Sequence, residues 1–167
     1  MTSLDRQQIA RIIPHGGTMV LIDEVIHWDE HRLLARTESH LRADNPLRDE
    51  RGLHIACGIE YAAQAMALHG VLRGVRPGEG QPGRPRTGLL ASVREVRFLA
   101  HRLDEDSTVL LIEADLVSGD LQVAMYEFAV RSPARTLLTG RATVVLDALN
   151  LLDPPSGAGP AAEAGAG

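Results

Sequence analysis

HIACGIEYAAQAMALHGVL, residues 54–72, decides how this chain folds. Ala, Ile, Met, Leu, Cys, Gly and Tyr fill it almost throughout, and it reads as one long helix from about Ile55 to Leu72. Gly70, Gly74 and the loop GVRPGEGQPGRPR (74–86) mark its end, because so many Gly and Pro residues hold no regular structure. A helix that is apolar all round has no face for water and must be surrounded by protein. Its single formal charge, Glu60, has no Lys or Arg nearby to pair with. An unpaired buried carboxylate costs several kcal/mol unless it takes up a proton. Glu60 therefore sits at an exposed edge, accepts backbone hydrogen bonds, or is a raised-pKa acid in a cleft, which is a candidate for acid–base chemistry. Gln64 lies one turn on, on the same face, and reads as support for that carboxylate. Cys57 reads as a small core residue, since nothing basic adjoins it to make a thiolate.

Outward from the helix, the chain alternates clear elements and breaks. Ser3 can cap a short helix carrying Leu4, Ile9, Ile12 and Ile13, which Pro14 ends. His15-Gly16-Gly17 then forms a turn. TMVLIDEVIHW (18–28) and RLLARTESH (32–40) read as a strand hairpin, and RADNPLRDERGL (42–53) as a polar connection. Beyond the loop come four strands, GLLASVREVRFLA, TVLLIEADLVS, LQVAMYEFAV and TLLTGRATVVLD. In the last, Leu138, Gly140, Ala142, Val144 and Leu146 face one way and Thr139, Arg141 and Thr143 the other, the period of a sheet with one packed face.

The order is helix, two strands, one apolar helix, four strands. A curved antiparallel sheet wrapped around one central helix meets the demand of that helix for cover. This α+β arrangement is the hot-dog fold, whose domains usually pair so that two sheets join. Residues 1–147 are expected to form the single domain, and 148–167, ending in PPSGAGPAAEAGAG, a disordered tail.

Composition excludes several function classes. The net charge is −5 and all 17 basic residues are Arg, which argues against a nucleic-acid partner. Two Phe, two Tyr and one Trp supply no platform for stacking bases. One cysteine, Cys57, allows no internal disulfide and no metal cluster. No apolar run is expected to reach the roughly 18 residues of a membrane span. MTSLDRQQIARI lacks the apolar core of a secretory signal, so a cytoplasmic location is expected.

Several stretches carry a specific resemblance. IIPHGGTMVLIDEV (12–25) resembles the opening motif of the 3-hydroxyacyl-(acyl-carrier-protein) dehydratases, a Pro-His turn before a strand ending in Leu-Ile-Asp. GIEYAAQAMA (58–67) resembles their central-helix motif, and TGLLASVREVRF and LLTGRATVVL resemble their third and last strands. The likeness covers roughly residues 8 to 147. With its NP…GIE…AQ spacing, it is strongest to the ApeP-like branch found in aryl-polyene biosynthesis clusters. It implies a hydro-lyase that dehydrates a 3-hydroxyacyl thioester carried on an acyl carrier protein, with no metal or organic cofactor. In such chemistry a base removes the proton α to the thioester while an acid protonates the departing hydroxyl. Backbone N–H groups at the helix start, Ile55 and Ala56, are the expected donors to the developing enolate oxygen.

One departure matters. The best-known dehydratases carry their catalytic His in a Gly-His-Phe-Pro segment, and this chain has DNPLRDERGLHIACG in that region. His15, fixed between Pro14 and two glycines, is the candidate second catalytic group, working opposite Glu60 of the partner subunit. A purely structural Pro-His turn is the rival reading. His54, six residues before Glu60, is the alternative base. His27, His31, His40, His69 and His101 read as surface or core residues. Arg84, Arg86, Arg94 and Arg97 form the densest basic cluster and are expected to dock the acidic carrier protein. Two other functions remain open. One is a hot-dog acyl-thioester hydrolase using the same carboxylate, and the other is a non-catalytic dimer partner of another dehydratase. A homodimer is expected, with a heterodimer as the alternative.

Overall fold

A computed structural model describes residues 3–74, 89–106, 108–120 and 122–145 of the chain. In order, the elements are β1 (Leu4–Asp5), α1 (Arg6–Ile12), β2 (Glu24–Trp28), β3 (Arg32–Thr37), α2 (Gly58–Gly74), β4 (Leu89–Phe98), β5 (Leu110–Gly119), β6 (Val123–Arg131) and β7 (Thr136–Val145). The seven strands form one antiparallel sheet in the order β1-β2-β3-β5-β6-β7-β4. The sheet curls around α2, which packs against β3, β5, β6 and β7. This is the hot-dog architecture.

The central helix matches its sequence pattern. A 3-10 turn at Ile55–Cys57 leads into α2, and Tyr61, Ala62, Gln64, Ala65, Met66, Leu68 and His69 are all buried. Ile55–Gly74 is nonetheless long and apolar enough to meet the length and hydropathy of a membrane span, contrary to expectation. Most of it is covered by the sheet, as a core helix is. β7 has Leu138, Gly140, Ala142 and Val144 buried and Arg141 exposed, as read, and Leu146 lies outside the described residues. The β5–β6 turn requires its glycine. Gly119 has φ +125°, and a Cβ there would lie 2.3 Å from the Val123 carbonyl oxygen.

Three boundaries differ from the sequence reading. Asp5, not Ser3, caps α1: its carboxylate accepts the Gln8 N–H while the Gln8 side chain accepts the Asp5 N–H, both at 2.9 Å. Leu4 instead pairs with Val25. The long strand expected over 18–28 is only β2. A 3-10 turn occupies Gly17–Met19, and Val20–Asp23 run outside the regular strands. Val20, Leu21 and Ile22 are all buried, so this run has protein on both sides and bonds to side chains in place of a strand. Likewise β3 stops at Thr37, and Ser39–Leu41 form a 3-10 turn.

β4 stands apart. It lies at the sheet edge beside β7 alone, none of its residues is buried, and Leu89, Leu90 and Phe98 are exposed. Arg84, Arg86 and the tail expected at 148–167 lie outside the described residues.

Candidate active site

The question of what pairs with Glu60 has an answer far away in the sequence. α1 ends before Pro14, and the turn that follows lays His15 against the first turn of α2. His15 Nε2 stands 3.4 Å from Glu60 Oε1 of the same chain. The two groups thus approach each other within one chain, where the sequence reading had set His15 opposite Glu60 of the partner subunit. Both are half-buried, with about a third of each side chain exposed (33% and 34%), so the pair sits at a mouth open to solvent and not in the sealed core.

Gln64 holds the carboxylate, as its place on the helix suggested. Its side-chain N–H donates to Glu60 Oε1 at 3.1 Å and to the Met19 carbonyl at 2.8 Å, and its Oε1 accepts the Leu21 N–H at 3.0 Å. One buried amide thus orients Glu60 and ties the strand-free segment 19–21 to α2. Both neighbours of Glu60 use Oε1, which leaves Oε2 without a hydrogen-bond partner among the described residues. His15 Nδ1 is sealed from solvent and has no hydrogen-bond partner among the described residues, so Nε2 is the nitrogen that can meet a ligand. Beside it, Gly17 has φ +60°, and neither Gly16 nor Gly17 has an atom within 4 Å of where a Cβ would lie. The two glycines keep open space against His15.

The other candidates are placed differently. His54 is exposed, and its Nδ1 accepts the Ala56 N–H at 3.2 Å, so it caps the 3-10 turn. Ile55 N–H donates to the His101 carbonyl at 3.0 Å. The two expected oxyanion donors are both engaged, then, Ile55 by backbone and Ala56 by a side chain that can swing away. Cys57 Sγ lies 3.7 Å from the Leu47 carbonyl, and burial pushes its thiol up, in keeping with an inert residue. His40 and His69 are buried, and burial pushes both below the ordinary imidazole value. His69 is a structural link, its ring nitrogens 2.9 Å from the Tyr126 hydroxyl and the Asp29 carbonyl. His27 pairs with Asp29 at 3.3 Å on the surface, and His31 and His101 are exposed. Among the described residues no group of three or more His, Cys, Asp or Glu could hold a metal ion.

Sequence reading missed the polar scaffold behind the pair. Asp23 receives Arg6 at 2.9 Å, Arg42 at 2.6 Å and the Glu38 N–H at 2.8 Å. Burial raises its pKa, but these bonds, the Thr37 hydroxyl and the Arg42 charge outweigh it and hold the carboxyl below its usual value. Thr37, Ser39, Asn45 and Tyr61 continue the network inward. The one available signal was Asn45-Pro46 and Asp23 within motifs already noted, with nothing local to say that they converge.

Comparison with known proteins agrees with this fold. A family model described as ApeP-like, ApeP dehydratase, matches residues 7–152. No curated protein matches. Among solved structures, the dehydratase heterocomplex ApeI:P from Xenorhabdus doucetiae is similar at 22% identity, covering 87% of this chain and 97% of that one, with a TM-score of 0.70. A hypothetical thioesterase with coenzyme A from Streptococcus pneumoniae is similar at 14% identity over 73% and 83%, TM-score 0.52. A mutant of the thioesterase PA1618 from Pseudomonas aeruginosa is similar at 13% over 75% and 80%, TM-score 0.53. At these identities the structural likenesses carry the fold.

Proposed function

The chain belongs to the ApeP-like dehydratase family, and from that premise we propose that it dehydrates a 3-hydroxyacyl thioester presented by an acyl carrier protein, with His15 as base and Glu60 as acid. The observation that supports their pairing is the 3.4 Å approach of His15 Nε2 to Glu60 Oε1 in one chain. His15 Nε2 takes the proton from the carbon α to the thioester. The C–H electrons form the new double bond, and the 3-hydroxyl leaves with a proton delivered by the Glu60 carboxyl. The products are the 2-enoyl thioester and water. What remains is an imidazolium beside a carboxylate, so one proton moving between neighbours restores the starting state. Base and acid lie on one side of the substrate, so proton and hydroxyl are expected to leave from the same face. Ala56 N–H becomes a donor to the enolate oxygen when His54 swings out.

The same proposal extends to partners. β4 offers an unpaired edge and exposed Leu89, Leu90 and Phe98, which a second hot-dog chain would cover, either a copy of this one or another dehydratase. Arg94 and Arg97 remain the described part of the expected docking cluster and make no ion pair among the described residues. Arg97 shares a groove of about 340 Å³ with Glu95, Asp115, Glu127 and Arg141, so the surface is mixed in charge. A cytoplasmic location belongs to this reading. The test is the product. Purified protein with a 3-hydroxyacyl thioester should yield the absorbance of an α,β-unsaturated thioester. Release of free thiol without it would make the protein a hydrolase.

A further inference from the structure

Tyr61 follows Glu60 in α2 and is fully buried, and burial raises its phenol although Ser39 and Asn45 bond to it. Its hydroxyl has two partners, Asn45 Nδ2 at 2.9 Å and Ser39 Oγ at 3.0 Å. The amide nitrogen can only donate, so the phenol oxygen accepts from Asn45 and has one proton left to give. Ser39 Oγ is the remaining partner and must accept it, for otherwise a buried O–H would be left without an acceptor, at a cost of roughly 1–3 kcal/mol. Ser39 in turn gives its own proton to the Leu21 carbonyl, 2.6 Å away. The neighbouring Thr37 hydroxyl lies 2.5 Å from the same carbonyl and 2.9 Å from the Asp23 carboxylate, two acceptors for its one proton. In this arrangement every proton has an acceptor.

The chain of donors closes a ring. Leu21 is gripped at both ends by α2. Its N–H goes to Gln64 at 3.0 Å, and its carbonyl is held by Thr37 directly and reached from Tyr61 through Ser39. Gln64 also holds Glu60, and Leu21 lies at the end of the same short segment that carries His15. Arg6 holds the turn at the Gly17 carbonyl, 3.2 Å away, and Gln64 holds the run after it at the Met19 carbonyl. Leu21 closes that run, so where it is held contributes to where His15 lies.

We propose that Tyr61 is a positioning residue, which through Ser39 and the Leu21 carbonyl sets the spacing between His15 and Glu60. It touches no substrate. The proposal rests on the dehydration reading for its kinetic consequence and on the hydrogen-bond ring alone for its structural one.

Tyr61→Phe keeps the ring in the core and removes only the hydroxyl, while Asn45 retains its bond to the Ser39 carbonyl. Misplacement of reacting groups by about 1 Å can cost around a hundredfold in rate, so kcat is expected to fall about tenfold or more with KM within about twofold. Ser39→Ala should give the same loss, and the double variant no further one, because both break one path. A purely structural tyrosine would lower the melting temperature and leave the kcat of the folded protein alone. The histidine-ring NMR signal that disappears in His15→Ala supplies a readout independent of turnover, and it should shift in Tyr61→Phe. An unshifted His15 signal, or an unchanged kcat in a cooperatively melting Tyr61→Phe, overturns the proposal. If Tyr61→Phe does not fold, Ser39→Ala is judged by the same two readouts. Wild-type protein that dehydrates no 3-hydroxyacyl thioester would sink the functional reading, and the ring signal would still decide the positioning role.

Discussion

Glu60→Gln separates the chemistry of the opening stretch from its folding. The substituted amide can turn its oxygen toward the Gln64 N–H, now 3.1 Å from Glu60 Oε1, and keep that bond. Its NH2 end then occupies the place of Oε2, which has no hydrogen-bond partner to lose among the described residues. With a third of the side chain exposed (34%), no charge is being removed from a sealed core, and stability should stay within about 0.5 kcal/mol of wild type. Turnover should not. An amide has no proton to give the departing hydroxyl, and loss of general acid catalysis removes about 10²–10⁴ in rate, or about 2.7–5.4 kcal/mol of barrier. The assay follows enoyl-thioester absorbance at saturating substrate, with a thermal melt of each preparation. Turnover of the variant within about twofold of wild type would refute the argument, because the 3.4 Å contact would then be a surface ion pair and nothing more.

Other perturbations reach different parts of the account. His15→Ala should lose about 10²-fold or more in kcat. His54→Ala should lose only a helix cap, about 1 kcal/mol of stability, and keep most of its turnover, and the opposite ranking in folded variants would move the base to His54. Asp23 is held below its usual value in the folded state, so its stabilising contribution is complete above the unfolded pKa of about 3.9 and is lost as pH falls through the lower folded one. The melting-temperature gap between wild type and Asp23→Asn should therefore be wide at neutral pH and close below about pH 4, whereas a constant gap would deny the carboxylate that role. Reversing Arg94 and Arg97 to Glu should raise KM for carrier-bound substrate and leave a small thioester mimic unaffected, and an equal change for both substrates would remove these residues from docking.

The parts of this molecule that were legible in sequence are those whose signal is local. The apolar run around Glu60 announced a core helix, and Leu138, Gly140, Ala142 and Val144 announced the buried face of β7. Val20, Leu21 and Ile22 misled because three consecutive buried residues look alike in a strand and in an irregular segment sealed on both sides. Ser3 was a good cap by type, but Asp5 has Gln8 at the spacing that closes the box. Glu60 has no Lys or Arg near it on its own helix, and the fold brings His15 to it from the turn after α1. The Ile55 and Ala56 amides looked free because helix starts usually leave them so, and here a His101 carbonyl and a His54 ring take them. Tyr61, Ser39 and Asn45 carry no periodicity at all, and only the fold brings their hydroxyl and amide groups together.

The central claim is that His15 and Glu60 of one chain make one dehydrating site. Co-expression of His15→Ala with Glu60→Gln, each inactive alone, tests it directly. If both groups act within a chain, every chain in the mixture lacks one of them, and turnover stays at the level of the single variants. If they act across a subunit boundary, mixed dimers assemble one intact site, and activity recovers to about a quarter of wild type. No recovery is the predicted result, and recovery to that level would contradict it.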